Sequence, residues 1–410
     1  MTGWVAVALD VGSAMTRLAL SGPGGAPVVA SRPTPGTGLA VFLSKLLEAG
    51  RAKAPGAISG MTVTVPEAWL DGTAEGVRAY ERLRRTVLEE LGWPRVTWLG
   101  QAACVAAEAL HRGPARRPDA GPVLVCDLGA RTVGAALCDT GGRTLRVTSV
   151  AVAEGGGTAF DTAVAASYTG PPPAAGFSAL FDGARTRHGR RAAVVLPRAW
   201  THPRYREAPV YRIGDTDITA GTLITAFSST AATLKDVVAR ALSGAAPPAT
   251  IAVAGRFGVF PLVSRVLLDE LSPPEPPLVL GPAAAVRGAL RIASGGLSVA
   301  EPARPAVTLP LYRIKHGLME VREVPLDPSA DFAVQDGYPM LVEVTGTTAP
   351  FDVRVDGRDV TVRPPDLPPG PYRVGLRPSH ARPGVLVLAP AAGGEPCHCP
   401  IDPPMDREAR

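Results

Sequence analysis

The stretch VLVCDLGARTVGAALC, residues 123–138, decides how this chain is expected to fold. It predicts a buried strand that ends at Asp127, a turn at Gly129 and a return strand. The same order occurs upstream in VAVALDVGSAMTRLALS, residues 5–21, where a strand ends at Asp10 before a turn. A repeated strand, glycine turn and return strand indicates a duplicated α/β domain with its ligand between the two halves.

The remaining pattern predicts one large α/β domain followed by a smaller domain of strands. Amphipathic spacing predicts helices at 72–91, 219–242, 261–271 and 283–293, with a strand at 251–254. Short strands with Pro and Gly turns are expected at 340–344, 351–355, 372–376 and 385–388. We therefore expect the α/β domain at 1–294, a linker at 295–310, an all-β domain at 311–392 and a flexible tail at 393–410.

Composition excludes several classes of protein. A net charge of +5 over 410 residues is too small to indicate nucleic-acid binding. No apolar stretch is long enough to cross a bilayer, and the first ten residues lack the pattern of a secretory signal. The cysteine count of 5 is odd, and three of them lie in apolar segments, which is typical of free thiols. We expect a cytoplasmic protein with neither nucleic acid nor membrane as its partner.

The two turns have the chemistry of a phosphate site. A tight hairpin turn presents backbone N–H groups that can hold a phosphate, and an aspartate at the strand end can hold the waters of a bound Mg²⁺. The sequence contains no GxxxxGK[ST] motif and no GxGxxG after a strand, which excludes the P-loop and the simplest Rossmann site. Asp10 and Asp127 are also compatible with a purely structural role, because aspartate favours turns on its own account.

Seven segments, in order, resemble those of the seventy-kilodalton heat-shock chaperones, a family within the actin and sugar-kinase superfamily. The resemblance covers about residues 4–293. The segments are LDVGSAMT at 9–16, VTVP at 63–66, WLGQAACVAAEAL at 98–110, DLGART at 127–132, GGTAFD at 156–161, VAG with PLV at 253–255 and 261–263, and AVRGA at 285–289.

This resemblance implies an actin-like, two-lobed nucleotide-binding fold that holds ATP or ADP with Mg²⁺. It implies catalytic roles for Asp10, Asp127 and Thr132. It also implies nucleotide contacts from two phosphate loops and two later segments, namely Gly12, Ser13, Gly129, Ala130, Arg131, Gly156, Gly157, Gly255 and Arg256.

Several positions depart from the family pattern in ways that bear on catalysis. Ala130 and Arg131 replace glycines of the second phosphate loop, and Gly134 replaces an aspartate. Gly100-Gln101 replaces a Glu-Pro pair that helps to organise metal and water, and no lysine has the context of the family's catalytic lysine. Because phosphoryl transfer depends on such charges, we expect slow or absent hydrolysis.

Three hypotheses of function follow. The first is a chaperone-like pseudo-ATPase scaffold or slow switch whose β domain binds a protein partner or peptide client. The second is a working ATP-dependent enzyme, a chaperone ATPase or a small-molecule kinase, with Arg131 in place of the missing lysine. The third is an actin-like structural or filament-forming protein. The segment Cys397-His398-Cys399 supplies too few ligands, too closely spaced, for structural zinc.

Overall fold

In the computed structural model the chain divides into two compact units. The first comprises residues 1–67 and 90–300, and the second comprises residues 68–89 and 301–410. The residues that the structure describes are 4–21, 27–53, 57–70, 73–93, 95–113, 121–170, 176–300, 306–316, 318–328, 330–335, 337–345, 350–365, 367–377, 379 and 383–402.

The first half of the first unit is a five-stranded sheet with two helices. Its elements, with one helix of the second unit between them, are β1 (Trp4–Val11), β2 (Met15–Ser21), β3 (Val28–Pro33), α1 (Leu39–Arg51), β4 (Ala57–Val65), α2 (Ala74–Arg85), β5 (Val96–Gly100) and α3 (Gln101–Arg112). The sheet order is β3-β2-β1-β4-β5, and α2 belongs to the second unit. Apolar strand residues such as Val7, Leu9 and Val63 are fully buried.

The second half is a six-stranded sheet with five helices and a separate pair of short strands. Its elements are β6 (Val123–Leu128), β7 (Thr132–Gly141), β8 (Thr144–Glu154), α4 (Gly157–Ala166), α5 (Phe177–Thr201), β9 (Pro209–Ile213), β10 (Thr216–Thr219), α6 (Ala220–Ala241), β11 (Thr250–Ala254), α7 (Pro261–Leu271), β12 (Leu278–Gly281), α8 (Ala284–Ala293) and β13 (Ser298–Val299). The sheet order is β12-β11-β6-β7-β8-β13.

The two sheets repeat one topology. In each, three consecutive strands form an antiparallel meander, and two further strands add in parallel beside the first strand of that meander. β1 and β6 are therefore equivalent central strands, and Asp10 and Asp127 lie near their ends. The mixed α/β class is confirmed, and the two sheets share a strand order that agrees with the two sequence copies, while the two-lobed nucleotide-binding arrangement stays a prediction.

Helices α3 and α8 pack against each other in a core that also takes residues from both sheets, including Ala8 and Val125. Small side chains allow this close packing, because residues 102–109 of α3 are all buried and six of those eight are alanine or cysteine. At Gly288 of α8, an added Cβ would lie 1.6 Å from the carbonyl oxygen of Cys104. The helix contact therefore requires a glycine at this position.

Among the residues that the structure describes, the second unit contains two four-stranded sheets that share one core and a separate pair of short strands. Its strands are β14 (Val307–Lys315), β15 (Leu318–Pro325), β16 (Val334–Gln335), β17 (Tyr338–Pro339), β18 (Leu341–Val344), β19 (Phe351–Val355), β20 (Arg358–Val362), β21 (Gly370–Arg377), β22 (Gly384–Pro390) and β23 (Cys397–Ile401). The sheet orders are β15-β14-β19-β20 and β18-β21-β22-β23. Val353 of one sheet and Val374 and Leu388 of the other are fully buried in this core.

The second unit differs from the expected C-terminal domain in three respects. Its first strand, β14, begins at Val307, inside the stretch expected to be a linker. The unit includes α2, whose Glu81 accepts hydrogen bonds from the buried Arg377 of β21 and whose Arg84 pairs with Asp331. It also includes β23, which pairs with β22 inside the stretch expected to be a flexible tail. Residues 301–305 of the expected linker and 403–410 of that tail lie outside the described residues. No helix in the described part of the chain is long and apolar enough to span a membrane.

Candidate functional site

The two hairpin turns that follow the central strands are closed in the same way. Gly12 donates its N–H to the carbonyl of Met15 at 3.0 Å, and Gly129 donates to the carbonyl of Thr132 at 2.9 Å. Both turns thus place a glycine, two further residues and a return strand in equivalent positions. The first and second phosphate loops expected from the sequence therefore form equivalent hairpin turns, while their roles in binding stay predictions.

The carbonyl groups of both turns are bonded from within the protein. In the first turn, Thr34 donates from its N–H to Ala14 O at 3.1 Å and from its hydroxyl to Gly12 O at 2.7 Å. In the second turn, the carbonyls of residues 129–131 accept bonds of 2.7–3.1 Å from the N–H groups of residues 155–158. Neighbouring segments therefore stabilise each turn by donating hydrogen bonds to its carbonyl groups.

The N–H groups at the tips of these turns are available to a ligand. Within the described residues, the backbone N–H groups of Ser13, Ala14, Ala130 and Arg131 have no hydrogen-bond acceptor. Ser13 and Arg131 are exposed. Turns with satisfied carbonyls and unsatisfied N–H groups are suited to hold an anion such as a phosphate.

Asp10 is held by three polar side chains. Its Oδ1 accepts hydrogen bonds from the hydroxyl of Thr64 at 2.8 Å and from Nε2 of Gln101 at 2.6 Å. Its Oδ2 lies 3.4 Å from Nη1 of Arg17, which is directly opposite in the register of β1 and β2. The side chains of Asp10 and Arg17 are only 4% and 11% exposed, so the carboxylate is neutralised by a buried guanidinium.

Asp127 has very different surroundings. Its strand neighbours are Gly134 and Ala254, and within the described residues its carboxyl group makes no hydrogen bond. Burial, followed by the negative charge of Asp10, raises the pKa of Asp127 to about 7, while Arg17 opposes this rise. Asp127 is half-buried, and in the described part of the fold no donor compensates its carboxyl group for the hydration that burial removes.

The surroundings of Asp10 do not fit a ligand of Mg²⁺. Magnesium requires carboxylate oxygens with free lone pairs in octahedral geometry, together with several waters. Both oxygens of Asp10 are engaged by protein donors, and Arg17 supplies a positive charge beside them. Among the described residues, no group of three or more His, Cys, Asp or Glu side chains is arranged to hold a metal ion. Asp10 therefore does not fit the role of a metal ligand, whereas Asp127 keeps a carboxyl group without hydrogen bonds in the described part of the chain, and the bound Mg²⁺ stays a prediction.

The later segments of the expected nucleotide site are placed beside the second turn. The N–H groups of Gly156 and Gly157 donate to the carbonyls of Arg131 and Gly129, so they support that turn and are not free to bind phosphate. A Cβ at Gly156 would lie 2.6 Å from Gly129 O. The segment 155–157 is a turn that leads from β8 into α4, and it does not form a phosphate loop of its own.

Gly255 also approaches the site closely. Its φ is +85°, and an added Cβ would lie 2.2 Å from Leu128 O and 2.5 Å from Oδ1 of Asp127, so only glycine fits here. The next residue, Arg256, forms an ion pair of 2.7 Å with Asp182 of α5. Its guanidinium is therefore already engaged, although its side chain remains 49% exposed.

Four residues of this site were not predicted from the sequence pattern. Thr64 bonds Asp10 through its hydroxyl group. Gln101 bonds Asp10, and Arg17 neutralises it. Glu67 accepts a bond of 2.6 Å from the N–H of Ala102 and so caps α3, which is possible because Gly100 has no side chain to block it. Hairpin register is the signal that predicts Arg17, because a residue directly across an antiparallel pair shares the same face.

No protein-family profile matches this chain, and neither does any curated protein. Among solved structures, a similar one is the ethanolamine utilization protein EutJ from Carboxydothermus hydrogenoformans. It is 15% identical, with a TM-score of 0.44, and the match covers 70% of this chain and 89% of that chain. The fold assignment rests on the sheet topology, and this likeness adds no activity to it.

Proposed function

We propose that the first unit is a nucleotide-binding scaffold that has lost efficient hydrolysis. The observation that carries this proposal is the enclosure of Asp10 by Arg17, Thr64 and Gln101, together with a hairpin turn of available N–H groups after each of the two central strands. The turns support phosphate binding, and the engaged carboxylate argues against catalysis. Because the sequence resembles the chaperone family, the proposed ligand is ATP or ADP.

Phosphate binding is supported by the duplication itself. Each sheet contributes one turn, and each turn has two N–H groups without an acceptor in the described part of the chain. Such dipoles can stabilise the charge of a polyphosphate without a metal-binding carboxylate. The two turns therefore support the part of the proposal that concerns nucleotide binding.

Slow hydrolysis follows from the groups that are missing or engaged. Phosphoryl transfer requires charge stabilisation and a positioned water. Here Gly100 and Gly134 stand where the family has a glutamate and an aspartate, and Asp10 is bonded by protein groups. Removing a single such electrostatic group typically lowers kcat by about 10²–10³-fold.

The expected result is therefore binding of ATP and ADP without rapid turnover. Calorimetric titration of the purified full chain with each nucleotide would measure affinity, and phosphate release would measure hydrolysis. We expect saturable binding with a turnover at least about 10²-fold below the typical enzyme kcat of about 10 s⁻¹. Fast multiple turnover would contradict the proposal and favour the enzyme hypothesis, in which Arg131→Ala abolishes turnover. The absence of binding even at millimolar nucleotide would contradict the proposal that the first unit binds nucleotide.

The second part of the proposal is a protein partner at the β-rich second unit. β15 is an edge strand, and its Leu318, Met319 and Val321 are 72%, 71% and 48% exposed. An exposed edge with apolar side chains is suited to pair with an extended segment of another protein. We therefore favour an extended, apolar peptide segment as the ligand of this edge.

A fluorescent peptide of alternating valine and lysine tests this surface. We expect its anisotropy to rise on adding the protein, and the variant L318K/V321K to weaken binding by about 30-fold, since two lost apolar contacts of about 1 kcal/mol each total about 2 kcal/mol. Val259→Lys, at a 53% exposed valine of the first unit, is the matched control. Equal binding by both variants would exclude this edge, and concentration-dependent sedimentation of the protein alone would favour the filament hypothesis.

A further inference from the structure

The buried guanidinium of Arg17 is the feature of this site that phosphate binding alone does not explain. Arg17 lies in β2 directly opposite Asp10, and its side chain is only 11% exposed. Arginine remains charged at every accessible pH, so its position beside the first hairpin turn is a fixed positive charge. Its positive charge also lowers the pKa of Asp127, against the larger raising effects of burial and of Asp10.

The second copy of the hairpin serves as an internal comparison. The residue opposite Asp127 is Gly134, which has no charge and no side chain. The duplicated fold itself therefore does not need a cation at this register position. Arg17 is specific to the first copy, where it supplies a positive charge beside a carboxylate.

Part of this guanidinium is not used by the protein. Only Nη1 of Arg17 contacts Asp10, and within the described residues Nε and Nη2 have no acceptor. Neither of these nitrogen atoms is fully buried, so both retain access to solvent. A guanidinium can bond a carboxylate on one side and a phosphate oxygen on another, because its donors are arranged as a planar fork.

We propose that Arg17 takes the electrostatic place of a divalent cation, so that this site binds the phosphates of its nucleotide without metal. This inference rests on the proposed function, since it concerns how the same nucleotide is held. The ligand class is a nucleoside di- or triphosphate free of Mg²⁺. Asp10 then orients Arg17 through their ion pair instead of holding the waters of a metal ion.

Calorimetric titration of the full-length protein with ATP, in EDTA and in excess MgCl₂, tests this inference. We expect dissociation constants that agree within about threefold in the two buffers. Arg17→Met is expected to weaken ATP binding by about tenfold in EDTA, the loss typical of one hydrogen bond to a charged group. Arg212→Met, at an arginine with 59% side-chain exposure in β9, is the control and leaves binding unchanged.

A second measurement does not depend on nucleotide or on the folding of a variant. Wild-type protein titrated with Mn²⁺ alone should leave the electron paramagnetic resonance signal of the free ion undiminished. Bound Mn²⁺ that is lost in Asp10→Asn would overturn the inference, as would ATP binding that disappears in EDTA and returns with MgCl₂. The absence of ATP binding in both buffers would instead overturn the proposed function, and with it the assignment of Arg17 to phosphate.

Discussion

Replacing Arg17 with methionine is expected to destabilise the first unit by about 3 kcal/mol, because the substitution leaves a buried carboxylate without its counter-charge. Asp10 is 4% exposed and would keep only its bonds to Thr64 and Gln101, with Asp127 nearby. Urea denaturation followed by circular dichroism would measure the change in the free energy of unfolding. The double variant Arg17→Met/Asp10→Asn should recover most of the loss, because it removes both charges.

Arg212→Met is the matched control for this experiment. Arg212 lies 3.9 Å from Asp215 and 3.8 Å from Asp217 in ion pairs whose side chains are at least half exposed. Exposed pairs of this kind contribute at most about 1 kcal/mol. If Arg17→Met is no less stable than Arg212→Met, or if the double variant recovers nothing, Arg17 does not neutralise a buried Asp10.

Gly288→Ala is expected to cost about 3 kcal/mol or more in the free energy of unfolding, although alanine is the better helix former. The new methyl group would lie 1.6 Å from Cys104 O, a backbone atom of α3. The two helices would have to move apart, and the core that they share with both sheets would lose its packing. Thermal unfolding of the full-length variant would measure the loss.

Gly189→Ala distinguishes this packing effect from helix propensity. Gly189 lies in α5, is exposed, and an added Cβ would have no other atom within 4 Å. We expect a change of less than about 1 kcal/mol for this substitution. Equal effects of Gly288→Ala and Gly189→Ala would contradict the close helix contact.

Much of the first unit could be predicted from its periodicity. The two hairpins, the strand at 251–254 and the helix at 261–271 are found close to their expected bounds. These segments have a strong local signal, because apolar runs, glycine turns and helix-starting residues such as Pro261 all favour the same structure. The duplication is likewise visible in the sequence as two strands that end in aspartate.

The chemistry of the site depends on contacts that periodicity does not encode. Thr64 and Gln101 reach Asp10 from positions far along the chain, and the N–H groups of 155–158 turn towards the second loop. The assignment of α2 to the second unit is also a tertiary fact, carried by the pairing of Glu81 with Arg377. Arg17 is the exception, since hairpin register alone places it opposite Asp10.

The central claim is a phosphate site in which Arg17 replaces the metal ion. A crystal structure of the protein grown with ATP and MnCl₂, with anomalous differences collected for manganese, tests it most directly. We expect phosphates against the turns at residues 12–14 and 129–131, the Asp10–Arg17 pair intact, and no anomalous peak between Asp10 and Asp127. A manganese peak coordinated by Asp10, with Arg17 displaced from it, would contradict this claim.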